Sequence, residues 1–502
     1  MRHTLTLIAL SSALLAGCGT QVVNPVTGKT ERSVMDEKTE LAEGRKAHEQ
    51  VLQEYGVYPD ARVQTYVKQL GQKLAAQSHR STLPWTFTVL DSPEVNAFAL
   101  PGGFVYVTRG LMAYMNSEAE LAGVIGHEIG HVTARHGAQR ATKQQDAGLG
   151  VLAATVLGAV LEGQGIKGAG RIASDLSQTV AAGYIASYSR EQELQADGLG
   201  AEYLARNQYD PGHMVDVISA LKNQERYAAD QARAAGRQAP SGANWLSSHP
   251  SNDQRLKDIQ RVAEHYRAQQ KSSYGDDGRA RYLPLLNGLT FGESADQGLT
   301  RGQHFYHVPL GFAVTAPEGW KIQNGSDTLA LINPDSSAGL VVKVVPKDAG
   351  QTPEEIVRKV IQPTQGQFQN TQLNGLQASR FTGQRRNSQG QLQNVEATVV
   401  SGPTGQRFIL LPSGRDTQTL QRARTGLQQA ENSFRPLSAA DRNAARPWVL
   451  QTTPYPKGGF AQLARQSPLG DMPEGQLRLI NGYYTGGEPT VGQTVKVVGT
   501  AR

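Results

Sequence analysis

Apolar and polar positions along the chain follow two periods, and the helical one gives way to short strands near residue 303. From Asp60 to Ala76, Val63, Val67, Leu70 and Leu74 recur at i, i+4, i+7 and i+11, which predicts an amphipathic helix. A similar pattern predicts a helix from Asp36 to Tyr55. "WTFTVLDSP" and "NAFALPGGFVYVTRGLM" read as strands, the second broken by Pro101-Gly102-Gly103. Ser117 and Glu120 are spaced as a capping box and open a helix expected to stop at Gly137. Ser189 with Gln192 opens another that ends near Asn207, Asp210-Pro211 starts the next, and Ser251 with Gln254 caps one running toward Gln270. Residues 20–34, containing "NPVTGKT", read as a polar tether, and the Gly-, Ser- and Asp-rich residues 271–303 as a connection between domains.

After residue 303, "GFAVTAPEGWKI", "TLALINP", "GLVVKVVP", "ASRFTGQRR", "NVEATVVSG" and "RFILLP" predict short strands, with helices at "TPEEIVRKVI" and near 416–432. A last unit has strand "WVLQTT", helices at "FAQLARQ" and "EGQLRLING", and strand "GQTVKVV". The fold class is therefore α+β and multidomain: a mainly helical domain with a small sheet at 36–270, a linker at 271–302, an α+β domain at 303–440 and a small βααβ module at 445–502. A length of 502 residues agrees with several cores.

Hydrophobic residues at 38% and charged residues at 19% fit globular domains and exclude a polytopic membrane protein. The net charge of +6 arises from 50 basic and 44 acidic residues spread along the length, so no nucleic-acid partner is expected. The single cysteine, Cys18, excludes an internal disulfide and a cysteine-ligated zinc site. It closes "MRHTLTLIALSSALLAGC", a basic start and short apolar run with signal-peptide architecture over residues 1–17. "LAGC" resembles a bacterial lipobox, which implies acylation of Cys18, a tether at 18–35 and, with Gly19 next to it in a Gram-negative host, the periplasmic face of the outer membrane. Ala147 to Leu161 is the most apolar mature segment, short of the roughly twenty residues a spanning helix needs. A packed helix is the favoured reading, with a lid or a membrane-dipping segment as alternatives.

The chemistry concentrates in "GVIGHEIGHVTARH". His127 and His131 lie four apart on one helix face, suited to grip one ion, and Glu128 beside them can reach a water held there without ligating. A chain of this composition shows His-Glu-x-x-His by chance on the order of once in a hundred. The stripe Leu121, Val124, Ile125, Ile129 and Val132 permits a plain amphipathic helix instead. Against that, Gly123, Gly126 and Gly130 each cost near 1 kcal/mol relative to alanine, a cost that only close packing offsets. A third ligand is needed. His136 is read as a basic side chain in the last helical turn. In "ELQAD", Glu193 can supply the carboxylate, and Asp197, one turn on, can accept a proton from a ligand imidazole's second nitrogen.

"HEIGH" followed by "E-x-x-A-D" resembles the signature of the HtpX and CAAX-protease type of gluzincin metallopeptidases, nearest its periplasmic BepA- and LoiP-like branch. The resemblance covers about residues 36 to 270. It implies one zinc ion per chain on His127, His131 and Glu193, with Glu128 as catalytic base. "NWLSSHPSNDQRL" resembles the family's downstream segment, here His249, Pro250 and Arg255; His249 could stabilise an oxyanion or occupy zinc's fourth position at rest. "NAFALPGGFVYV" resembles the strand to which an extended substrate adds, with Asn96 near its start as a substrate-binding residue. Residues 303–436 resemble a PsbP-type domain, and the tail resembles a LysM module, which implies peptidoglycan, although "KGGF" departs from the usual turn. The expectation is a zinc metalloendopeptidase acting on misfolded or stalled envelope proteins, held to the membrane by its lipid. The rivals are a zinc-stabilised chaperone or binding lipoprotein with a closed site, and a cell-wall hydrolase.

Overall fold

The computed structural model describes residues 19–146, 188–234, 236, 249, 253–270, 273–325, 328–386 and 390–501. Cys18, the segment Ala147 to Leu161 and Ser251 lie outside them. The described residues fall into two compact units, one drawn from 19–146, 188–289 and 450–499, the other from 290–449 and 500–501.

The first unit opens with a hairpin, β1 (Thr20–Val23) and β2 (Thr30–Ser33), in place of the expected tether. Asn24 builds its turn by accepting from the Val26 and Thr27 amides, and its side-chain amide donates to Ala134 O at 3.1 Å, which docks the hairpin on the helical body. Helices α1 (Glu37–Tyr55) and α2 (Ala61–Ala76) follow, capped by Asp36 and Asp60, and α2 buries Val63, Val67, Leu70 and Leu74 as its period requires. Strands β3 (Thr86–Leu90), β4 (Ala97–Leu100) and β5 (Phe104–Thr108) form a sheet in the order β3-β5-β4. The β4–β5 turn is the Pro101-Gly102-Gly103 break, with Gly102 and Gly103 at φ of 84° and 95°, where a side chain would be strained.

From β5 the chain enters α3 (Arg109–Tyr114) and then α4 (Glu118–Thr133), capped by Ser117. Helix α4 stops four residues before Gly137 because Arg135 takes the left-handed conformation, φ 61°, and α5 (His136–Asp146) starts in a new direction. His136 therefore opens a helix instead of closing one. Helices α6 (Arg190–Arg206), α7 (His213–Ala234) and α8 (Asp253–Gln269) complete the bundle, and the Ser189–Gln192 capping box is present in full. The stretch read as linker contains α9 (Arg279–Leu285), whose Tyr282 and Leu283 are buried together with Leu286 and Leu289. An apolar set this sparse disappears in a Gly- and Asp-rich average. Among the described residues no helix is long and apolar enough to cross a membrane.

In the second unit, β6 (Thr290–Phe291) precedes β7 (Leu299–Arg301), β8 (His304–His307) and β9 (Phe312–Thr315) of a small sheet. A seven-stranded antiparallel sheet then combines β10 (Lys321–Asn324), β11 (Thr328–Ile332), β12 (Ala338–Val344), β13 (Gln365–Leu373), β14 (Leu376–Arg386), β15 (Leu392–Ser401) and β16 (Arg407–Gly414), in the order 10-11-12-16-15-14-13. Helix α10 (Pro353–Val360) covers one face with Ile356 and Val357, while Leu427 and Ala430 of α11 (Thr417–Asn432) join the core on the other. After β17 (Arg435–Pro436) and α12 (Ala439–Ala444), the chain returns through β18 (Trp448–Pro454), α13 (Gly459–Ala464), α14 (Pro473–Ile480) and β19 (Thr494–Thr500). Residues 450–499 of this βααβ segment belong to the first unit.

The contact that sets the site is α4 against α6. A Cβ added at Gly130 would stand 3.1 Å from both Ala196 O and Leu199 Cβ, and one at Gly126 only 3.4 Å from Gly200 Cα. Gly130→Val is expected to overpack this contact and cost about 1–3 kcal/mol, read as a lowered urea midpoint at unchanged slope.

Candidate metal centre

One turn of α4 delivers His127 and His131, α6 delivers Glu193, and His249, four residues ahead of α8, is the fourth. All four are buried, and one ligand atom from each lies within 4.8 Å of the others. His127 Nε2 is 3.0 Å from His131 Nε2 and 3.2 Å from His249 Nδ1. Glu193 Oε1 is 3.0 Å from His249 Nδ1 and 3.5 Å from His131 Nε2, and its Oε2 is 3.7 Å from His127 Nε2. Atoms about 2.0–2.1 Å from a shared tetrahedral centre stand about 3.3 Å from one another. The observed separations scatter around that value, so the residues fit a tetrahedral ion with nitrogen and oxygen ligands.

Proton placement gives the same answer. His136 Nε2 lies 2.9 Å from the acceptor Gln195 Oε1 and must donate, which leaves a lone pair on its Nδ1. His131 Nδ1, 2.9 Å from that lone pair, donates in turn, so His131 Nε2 carries a lone pair. His127 Nδ1 is 2.9 Å from Asp197 Oδ1, and an imidazole that keeps its proton on the side of this carboxylate has its lone pair on Nε2 as well. Two lone pairs 3.0 Å apart repel, and a cation between them removes the conflict.

Arg255 braces the carboxylates. Its Nε and Nη2 donate to Asp197 at 2.6 and 2.8 Å, Nη2 lies 3.0 Å from Glu193 Oε2, and Nη1 donates to the His249 carbonyl at 2.8 Å. Burial would raise the Asp197 pKa, but Arg255 and the hydrogen bond from His127 outweigh it and hold Asp197 at about 2. Burial opposes charge on His249, yet Glu193 and Glu128 together lift its pKa above the ordinary value. Burial and the neighbouring imidazoles hold His131 well below it.

Glu128 is buried, and its Oε1 lies 3.6 Å from His249 Nε2, beside the ligand set but outside it. Asn96 is buried at the start of β4, its backbone paired with Thr108, and it is not among the clustered ligands. Gln195 and Tyr188, which the sequence does not single out, and His136, which it assigns another role, complete the centre. His136 and Gln195 form the hydrogen-bond chain that fixes the His131 tautomer, and Tyr188 stacks on His131 with ring centroids 3.9 Å apart. The reading of His136 as a dipole partner is thereby corrected: the break at Arg135 turns its ring back onto His131. The second histidine five positions after His131 was the available signal.

Residues 61–263 match peptidase family M48. The beta-barrel assembly-enhancing protease of Yersinia pestis is 29% identical over 315 residues, 58% of this chain and 62% of that one. Its counterpart in Escherichia coli K12 is 31% identical over 227 residues, 44% of each chain. The mitochondrial metalloendopeptidase OMA1 of Arabidopsis thaliana is 34% identical over 202 residues, 40% of this chain and 36% of that one. The chain thus spans less than two thirds of each of these relatives. A solved structure of cyanobacterial PsbP from Synechocystis aligns with 28% of the chain at 12% identity and a TM-score of 0.20, too slight a likeness to argue from.

His136→Phe removes the acceptor that fixes the His131 tautomer. Zinc affinity, read by chelator competition, is expected to fall about 10- to 100-fold. Burial also holds His136 at about 4. The unfolded chain therefore takes up this proton first as pH falls from about 6.5, and metal-free stability declines down to about pH 4. The variant should flatten that decline in a series of thermal melts.

Proposed function

We propose that the chain is a zinc metalloendopeptidase of the cell envelope that cleaves misfolded or stalled envelope proteins. The observation that carries this reading is Glu128, a buried carboxylate beside the ligand set that a purely structural zinc site would not use. In this reading His127, His131 and Glu193 hold the ion, Asp197 and Arg255 orient them, and zinc in that place supplies Lewis acidity for attack of water on a peptide carbonyl. Glu128 takes the proton from the attacking water and passes it to the leaving amine. Asn96 stands at the start of β4, the edge of the β3-β5-β4 sheet, to which an extended substrate would add by backbone hydrogen bonds. The names of the relatives, assembly-enhancing proteases and a metalloendopeptidase, support the reaction.

The finer parts belong to the same proposal. Cys18 is the acylated residue of a lipoprotein, placing the M48 domain on the periplasmic face of the outer membrane. Residues 303–440 are a PsbP-like module, and the βααβ order of 448–500 supports the LysM-like reading and a peptidoglycan contact.

A second reading, a closed site in a binding or chaperone protein, is favoured by one observation. His249 Nδ1 occupies the fourth vertex of the ligand set, where water or substrate would otherwise enter. The two readings join if His249 withdraws on substrate binding. The deciding experiment is cleavage of an unfolded model protein by the zinc-loaded chain from Gly19 onward, beside Glu128→Gln with equal bound zinc. The parent is expected to cleave and the variant to lose at least about 100-fold. Intact substrate with both proteins would put the closed-site reading ahead. His249→Ala is expected to change turnover or zinc affinity, and no change in either would remove His249 from the site's chemistry.

A further inference from the structure

Ten residues before His127, the turn that launches α4 is held by a side chain from the far end of the chain. Lys496, on β19, is completely buried. Its ammonium donates to the Ala113 and Met115 carbonyls at 2.8 and 2.7 Å, two groups that the end of α3 leaves without helical partners. Arg279 donates both to Asn116 O at 3.0 Å and to Thr494 O at 3.1 Å, and Gln476 of α14 donates to the Tyr114 hydroxyl at 3.1 Å. Each residue from Ala113 to Asn116 is therefore contacted by residues 476–496 directly or through Arg279.

The other side of this turn belongs to the metal-binding helix. Ser117 caps α4, and Glu120 reaches back to accept from the Asn116 amide at 2.8 Å. Burial pushes Glu120 up and Lys496 down, each to about 7, and each partially offsets the other. Asp216 and His213 of α7 and Arg279 are the other charges felt by this pair. Lys496 is itself fixed by Asn481, which accepts from its amide and donates to its carbonyl, both at 2.8 Å. A buried ammonium is expensive unless it is hydrogen-bonded, so losing either carbonyl by displacement would be costly.

We infer that residues 450–499 are a fixed clamp on the start of α4, with Lys496 as the positioning residue that sets the metal-binding helix against the β4–β5 hairpin. The inference rests on the protease reading for its effect on turnover. The clamp itself rests on geometry alone. A segment docked through an enclosed lysine is part of the protease body, and a ligand of this segment would act on the site through the 113–117 turn.

The test uses the full mature chain, zinc-loaded, with Lys496→Met, the milder Gln476→Leu, and Tyr484→Phe. The last loses the 2.6 Å bond to Asp230 on α7, away from the turn. Steady-state kinetics on an unfolded model protein are measured well below every melting temperature, with amide exchange of residues 113–133 read in parallel. Lys496→Met is expected to lower kcat about tenfold or more at nearly constant KM, Gln476→Leu several-fold, and both to speed exchange at 113–120. Tyr484→Phe is expected to lower the melting temperature and leave kcat within about twofold. Unchanged kcat and exchange in both clamp variants, or a loss in Tyr484→Phe equal to theirs, overturns the inference. Should the parent itself be inert, the protease reading fails, and exchange at 113–120 still decides the clamp.

Discussion

The site depends on how closely α4 approaches α6. With glycine at 126, 130 and 200, backbone meets backbone: a Cβ at Gly200 would stand 3.1 Å from the His127 amide. That separation brings a carboxylate of one helix to within 3.5 to 3.7 Å of two imidazole nitrogens of the other. Wider spacing would strand Glu193 and Asp197 as buried charges without imidazole partners, which costs far more than glycine's lost helix propensity. Glycine in the middle of a helix is here a condition of the chemistry.

Much of the centre could be read from the sequence because its logic is local. The four-residue step from His127 to His131 and from Glu193 to Asp197 follows from helix geometry alone, and Glu128 follows from its neighbours. His136 could not be placed, because its role depends on one backbone angle at Arg135 that ends the helix early. Gln195 and Tyr188 act through distances set by the α4–α6 packing, and nothing in their own neighbourhood marks them. The same division runs through the fold. Strands with a buried face, such as β12 and β16, announce themselves by apolar residues, whereas β13, "QGQFQNTQL", is an exposed edge strand whose pairing is carried by the backbone. The hairpin at 20–33 and helix α9 went unseen because composition over a window averages away a few well-placed residues.

Charge burial ties the distant parts together. Arg255 joins α8, α6 and His249 through one guanidinium, and Lys496 joins the C-terminal strand to the turn before α4. Lys496 places its ammonium on two carbonyls and Arg255 its guanidinium on one carbonyl and two carboxylates, which makes the geometry specific more than it makes the fold stable.

The N-terminal hairpin has a consequence for reach. Thr20 already pairs with Ser33, so only Gly19 separates Cys18 from folded structure. Two residues extend at most about 7 Å, whereas a free stretch of fifteen would wander over some tens of ångströms. Whatever is joined to the chain at Cys18 is therefore on a short leash, held within about 7 Å of a hairpin that Asn24 pins to the end of the metal-binding helix.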